Sequence, residues 1–370
     1  MSKLESLVAL SRRYGSDPAW VLAGGGNTSF KDGAVLYVKA SGFALGAISA
    51  EGFCAVDRGR LDAIWSKAYP AATEEREAAV LADLMAARLP GEAKRPSVET
   101  LMHGLFPQAY VLHTHPALVN GLACGARGRE AFGALLADIA IWAPFVEPGY
   151  VLAGVVRAAA EEFRAARGAW PAVMVMQNHG LLVAADRPEE LDRLSREVVE
   201  RLRARVSREP RLEAAAVDPA ALAAASAALG ALAPGTAQAF RADAETLGRA
   251  ASREAFAPLA SAFSPDHIVY AGHEFLYAQA PGALAGAWAD YVARNASSPK
   301  VAVVSGLGAF GLGSSRAAAE TALSLFADAC KIAAYAEGFG GFSHMSAEKI
   351  AFIRGWEVEK YRSRVSGGGS

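Results

Sequence analysis

The chain has 370 residues, a net charge of −1 and a 52% hydrophobic composition, enough for two domains with substantial cores and too apolar for a disordered chain. Its 37 Lys+Arg nearly balance 38 Asp+Glu, and no basic stripe interrupts the sequence, so nucleic-acid and anionic-membrane binding are not indicated. Three scattered cysteines, the lack of a signal-like N-terminus and the lack of an apolar window of about 18 residues point to a cytoplasmic protein with reduced thiols and no spanning helix.

In chain order, residues 3–14 carry apolar side chains at helical spacing. Gly24-Gly25-Gly26-Asn27-Thr28-Ser29-Phe30 follows, then hairpin-turn chemistry at Lys31-Asp32-Gly33 and a returning strand over 34–39. That strand runs into the small polar turn Ala40-Ser41-Gly42. Two such turns beside one hairpin can aim hydroxyls and backbone N–H groups at a common anion, or can be ordinary loops. Residues 72–89 read as helix, stopped by Pro90-Gly91. Ser97 is then a candidate cap for a helix whose first turn holds Glu99, where the N-terminal field keeps a carboxylate ionised. His103 lies four residues further on and reads as structural.

Tyr110-Val111-Leu112-His113-Thr114-His115-Pro116 is a strand-like run ending in two histidines at i and i+2, which point to one face. Either the pair seats a divalent metal, or one ring is buried and hydrogen-bonded while the other is exposed. Residues 117–124 read as helix, 139–146 as a strand, 151–167 as helix, and 172–184 as two strands joined by a turn carrying His179. An amphipathic helix over 188–206 closes the first domain, residues 1–207. Residues 208–262 read as a helical connector. A C-terminal α/β module is expected over 263–366, with a short strand from Asp266, a strand at 300–304, a Gly-rich turn, a long helix over 315–337 and a last helix over 346–360. Residues 367–370 form a Gly/Ser tail.

His113, His115 and His179 sit at two strand ends, with Glu99 as a carboxylate partner. Three imidazoles leave open positions on a metal, which suits Zn2+ or another first-row divalent ion acting as a Lewis acid toward an enediolate while a carboxylate shuttles a proton on carbon. The combination of Gly26-Asn27-Thr28-Ser29, Ala40-Ser41-Gly42, Pro96-Ser97-Val98-Glu99, His113-Thr114-His115-Pro116 and Asn178-His179-Gly180 resembles the class II aldolase/adducin family. That family includes fuculose- and rhamnulose-phosphate aldolases and ribulose-phosphate 4-epimerase. The resemblance covers about residues 1–205. It implies an α/β fold, a three-layer α/β/α sandwich on a largely antiparallel sheet, with the smaller C-terminal α/β module added. It also implies a homo-oligomer, tetramer or dimer, acting on a sugar or sugar phosphate.

Residue by residue, the resemblance makes His113, His115 and His179 the zinc ligands and Glu99 the catalytic carboxylate. Asn27, Ser41, Gly42 and Ser97 would hold the substrate phosphate. The implied reaction is retro-aldol cleavage of a ketose 1-phosphate. Two positions depart from the pattern. Val98 replaces a phosphate-binding serine, which keeps an unphosphorylated substrate open, and Phe145 falls where the family has a proton-donating tyrosine; Tyr150 or a metal-bound water is the substitute to consider. Residues 265–365 resemble the second part of the aldolase half of bifunctional rhamnulose-phosphate aldolase/lactaldehyde dehydrogenases, with the dehydrogenase domain expected to be absent.

Three rivals stand beside the aldolase. One is a sugar-phosphate 4-epimerase using the same metal. Another is a nucleotide-binding or dehydrogenase-related module, because Gly306-Leu307-Gly308-Ala309-Phe310-Gly311 fits G-x-G-x-x-G, although an acidic residue on a following strand is missing. The third is an adducin-like interaction domain, expected to lack the three histidines. His267, His273, Glu274 and His344 read as structural or surface groups.

Overall fold

A computed structural model describes residues 3–355. The described residues fold as two compact units, one from residues 3–119 with 129–204 and the other from 120–128 with 205–355.

The first unit is built on seven strands: β1 (Asn27–Asp32), β2 (Val35–Lys39), β3 (Phe53–Asp57), β4 (Tyr110–Thr114), β5 (Ala140–Ala143), β6 (Val173–Met176) and β7 (Gly180–Ala185), in the order β3-β2-β1-β4-β7-β6-β5. Every neighbouring pair is antiparallel except β5 and β6. β4 lies between β1 and β7 and is buried along its whole length, which is why its sequence is almost continuously apolar up to His113. Val111, Leu36, Val38, Met174, Met176 and Leu182 share one core with Leu61, Val80, Leu84, Leu101, Met102, Leu152 and Val156 from the helices over that face. On the other side, helix Lys3–Gly15 packs on β1 and helix Pro188–Arg203 on β7. The result is an α/β/α sandwich with a largely antiparallel sheet.

Register decides what the site receives. Asn27 on β1 lies opposite His113 on β4, and Ser29 lies opposite Val111. Directly opposed residues share a face. So Asn27, Ser29 and His113 all face the side covered by helix Thr100–Leu105.

The second unit contains β8 (Ala237–Arg241), β9 (Leu276–Ala278), β10 (Val301–Val304) and β11 (Gly308–Gly313), in the order β8-β11-β10-β9. β9 and β10 run parallel; the other pairs are antiparallel. Helix Arg316–Ala336 packs on β8 and β11. Leu229, Leu284, Trp288 and Tyr291 fill a core with Ala302, Val304, Phe310 and Leu312.

Four expectations from the sequence need correction. First, residues 236–262 are not all helical: Ala237–Arg241 forms β8, which pairs antiparallel with β11. The segment 208–262 thereby supplies a sheet strand and is more than a helical connector. Second, Asp266-His267-Ile268-Val269-Tyr270 does not begin a strand; His267–Ala271 is a π-helical turn ended by Gly272 at φ +93°. Its β-branched pair suggested a strand, but Pro265 suits the start of a helix. Third, Glu99 occupies the N-cap position of helix Thr100–Leu105 rather than its first turn.

Fourth, the Gly-rich run is not a strand–turn–helix phosphate loop. It is a β10–β11 hairpin in which Gly306 takes φ +69° at the turn and Gly308 to Gly311 already belong to β11. A Cβ on Gly311 would lie 2.1 Å from the Ala319 carbonyl oxygen, so this glycine lets the long helix approach the strand. That removes the structural context for the dinucleotide-binding alternative. The last helix is described as Ala347–Gly355; its expected continuation and the 367–370 tail lie outside the described residues.

Candidate active site

The three histidines come together in the first unit. Their ligand-capable nitrogens all lie within 4.8 Å of one another. His113 Nε2 is 2.9 Å from His115 Nε2, and the His179 ring centroid is 4.9 Å from that of His113. β4 delivers His113 from its C-terminal end, and His115 follows with its backbone N–H donated to the Trp20 carbonyl at 3.0 Å. His179 sits in the short turn between β6 and β7, where Asn178 takes φ +53°, a conformation asparagine tolerates better than most residues.

Glycine makes room for this cluster. A Cβ on Gly180 would lie 2.5 Å from the Thr114 carbonyl oxygen and 2.7 Å from His115 Cδ2; a Cβ on Gly26 would lie 2.8 Å from the His113 carbonyl oxygen. Both positions let two backbones close on the histidine strand.

The donor set fits a divalent ion. His113 Nδ1 donates to the Leu181 carbonyl at 3.0 Å, which leaves Nε2 of a neutral ring bare and directed at the other two imidazoles. Burial pushes His113 down to about 3, against the opposing pull of Glu99, so the ring is in the neutral form a metal requires.

Glu99 faces the cluster. Its Oε1 is 3.2 Å from His179 Nε2 and 3.5 Å from His113 Nε2. Its Oε2 accepts from Asn27 Nδ2. Burial disfavours ionisation, but the hydrogen bonds from the His179 ring and the Asn27 amide oppose it, and the carboxyl is held well below its ordinary range. The group is therefore an ionised base in a nearly dry site, 9% exposed.

The remaining candidate residues line the same end of the sheet. Ser97 Oγ accepts from the Glu99 N–H at 3.3 Å and lies 3.4 Å from Asn27 Nδ2. Ser41 Oγ donates to the Pro96 carbonyl at 3.3 Å, and its N–H donates to the Arg95 carbonyl at 2.9 Å, which stitches the Ser41–Gly42 turn to the Ser97 loop. Gly42 takes φ +94° there. Lys39, the last residue of β2, is buried, with Nζ 3.4 Å from the Gly24 carbonyl. Phe145 is tied to the His179 turn through its N–H and Gln177 Oε1 at 3.2 Å. Tyr150 packs its ring on Trp65 and Tyr69.

Sequence reasoning set His103 aside as structural. The fold places it in the site's support: Nε2 meets Asn27 Oδ1, and Nδ1 lies 2.8 Å from Ser29 Oγ. Its only signal in the sequence is the i+4 spacing from Glu99. The other histidines take no part. His267 pairs with Ser264 and lies 3.4 Å from Asp328, while His344 meets the Pro258 carbonyl at 2.9 Å. Glu274 is engaged by Arg294 and Asn295.

The first unit is thus an α/β/α sandwich with three convergent imidazoles that could hold a metal ion beside a buried carboxylate at one sheet end. The chain belongs to the class II aldolase/adducin family: residues 5–206 match the Class II Aldolase and Adducin N-terminal domain. It is similar to the uncharacterized oxidoreductase YuxG of Bacillus subtilis (strain 168), at 28% identity over 195 residues, a stretch that takes in 50% of this chain and 27% of that protein. Among solved structures, it is similar to the N-terminal class II aldolase domain of a conserved Thermoplasma acidophilum protein, at 29% identity over 55% of this chain and 93% of that one, with a TM-score of 0.46. L-fuculose-1-phosphate aldolase from Thermus thermophilus matches at 15% identity over 54% and 94% of the two chains, with a TM-score of 0.36.

Proposed function

We propose that this chain is a metal-dependent aldehyde-lyase that cleaves a ketose 1-phosphate or a related sugar by retro-aldol chemistry. The observation that carries the reading is the meeting of His113, His115 and His179, with ligand atoms within 4.8 Å, against an ionised, buried Glu99. His113, His115 and His179 would hold the ion, most favourably Zn2+. Bound there, it would supply Lewis acidity toward a carbonyl oxygen of the substrate.

In retro-aldol cleavage a hydroxyl proton leaves, the carbon–carbon bond breaks, an aldehyde departs and the enediolate carbon takes up a proton. Glu99 is the group assigned to move the proton at that carbon. Its Oε1 faces the imidazoles, while Asn27 restrains Oε2 and so fixes the carboxylate plane. Asn27, Ser41, Gly42 and Ser97 are assigned to the anionic end of the substrate. Val98 brings no hydroxyl to that set, so the panel of substrates includes unphosphorylated ketoses. Phe145 has no exchangeable side-chain proton and is not the donor. If the sequence resemblance of residues 265–365 to the aldolase half of the bifunctional rhamnulose-phosphate enzymes holds, a deoxyketose 1-phosphate is the first substrate to try.

The test is a screen of ketose 1-phosphates and their unphosphorylated counterparts for freed aldehyde. Release that stops on chelation and returns with a divalent ion is expected. Inversion at one carbon without fragment release would assign the 4-epimerase reaction instead. Turnover untouched by chelation would overturn the metal reading.

A further inference from the structure

The hydrogen-bond chain behind Glu99 fixes more than its partners' positions. Asn27 presents one end of its side chain to the Glu99 carboxylate and Ser97 Oγ, and the other end to His103. An amide oxygen set against an ionised carboxylate is repelled, so the –NH2 end faces Glu99 and Oδ1 faces His103. Oδ1 can only accept. His103 must therefore carry its proton on Nε2, which leaves Nδ1 bare to accept from the Ser29 hydroxyl at 2.8 Å. His103 and Ser29 are both completely buried. No water competes for either bond in such a place, and each link leaves the next with one orientation. Burial also pushes His103 down to about 3, so the ring stays neutral and keeps both an acceptor and a donor.

We propose that His103 is a positioning residue for the lyase site: its Nε2 proton pins the Asn27 amide in the one orientation that offers an N–H to Glu99. The inference rests on the assignment of Glu99 as the proton-moving group. His103 touches neither substrate nor reacting atoms. Without its donor, Asn27 Oδ1 is left buried with its His103 bond unmade, and the amide loses the anchor that holds Nδ2 on Glu99 Oε2, which loosens the carboxylate from its working position. The strand register explains why one ring can do this. Asn27 and Ser29 lie on the same face of β1, two residues apart, and His103 spans them from the helix above.

Two substitutions and one spectroscopic reading test the proposal. In the wild-type, metal-loaded chain, nitrogen NMR of the His103 ring should show a neutral tautomer protonated on Nε2. His103→Gln keeps an amide donor near the Nε2 position, whereas His103→Leu keeps none. With aldehyde release as the assay, His103→Leu should lower kcat by about 10-fold or more with a smaller change in KM, and His103→Gln should recover to within about 3-fold of wild type. Bound metal per chain should be unchanged in both. A ring protonated on Nδ1 would overturn the proposal, as would equal losses in two folded variants. Should the wild type release no aldehyde, the reaction assignment fails separately. The Asn27 side-chain amide signals then decide the positioning claim: they should stay in place in His103→Gln and move in His103→Leu, and signals that are unmoved in both variants would refute it.

Discussion

At the scale of single residues, the site depends on side chains that are absent as much as on those present. Gly180 is the clearest case. Its missing Cβ would meet the Thr114 carbonyl and the His115 ring, both closer than real Cβ atoms approach. Gly180→Ala should therefore spread β4 from β7 at the metal end, destabilise the protein by about 1–3 kcal/mol and weaken metal binding. Thermal unfolding and metal titration of the purified variant check this together; a variant with wild-type values in both would show that the strands have slack here. The glycine was visible in the sequence, but its reason was not, because the atoms that crowd it come from Thr114 at the end of β4 and His115 just after it, far earlier in the chain. His103 is similar: an i+4 neighbour of Glu99 in sequence becomes a partner of Asn27 and Ser29 only when β1 lies beside helix Thr100–Leu105.

At the scale of elements, local pattern foretold most of the first unit. The apolar run into His113, the hairpin at Gly33 and the bend at His179 are each signalled within a few residues, and each formed. Elements whose identity comes from distant partners were misread. β8 looks like an Ala-rich helical stretch until β11 pairs with it, and His267–Ala271 carries strand-like residues in a helical turn. The Gly306–Gly311 run matched a motif by spacing alone, whereas its glycines serve a hairpin turn and the seat of helix Arg316–Ala336. Gly311→Ala is the direct check, since a Cβ 2.1 Å from a backbone oxygen forces the helix off the strand. A loss of about 2 kcal/mol or more is expected in denaturant unfolding; an unchanged midpoint would mean that the helix does not need this close approach.

At the scale of the whole molecule, the family match spans residues 5–206, and the candidate site lies entirely within the unit that contains most of that stretch. Among the described residues no helix is long and apolar enough to cross a membrane. Buried histidines tie the site to overall stability. His103 and His113 are pushed down to about 3 from an ordinary value of 6.5, so across that interval the unfolded chain binds protons that the folded chain does not. Their contribution is whole above about pH 6.5 and is lost as pH falls, on the order of 1 kcal/mol per pH unit for each ring. Glu99, held below its ordinary range, acts in the same direction at still lower pH. The metal-free protein should thus melt at progressively lower temperature below that point. His103→Gln, with one titrating ring fewer, should fall less steeply; parallel curves would contradict a buried neutral His103.

The central claim is that three imidazoles hold one divalent ion. Metal content per chain, measured on the purified wild type and on His113→Ala, tests it most directly. The account predicts about one tightly held divalent ion per chain in the wild type and close to none in a folded His113→Ala variant. A wild type that stays metal-free in excess zinc, or a variant that retains the full complement, would contradict it.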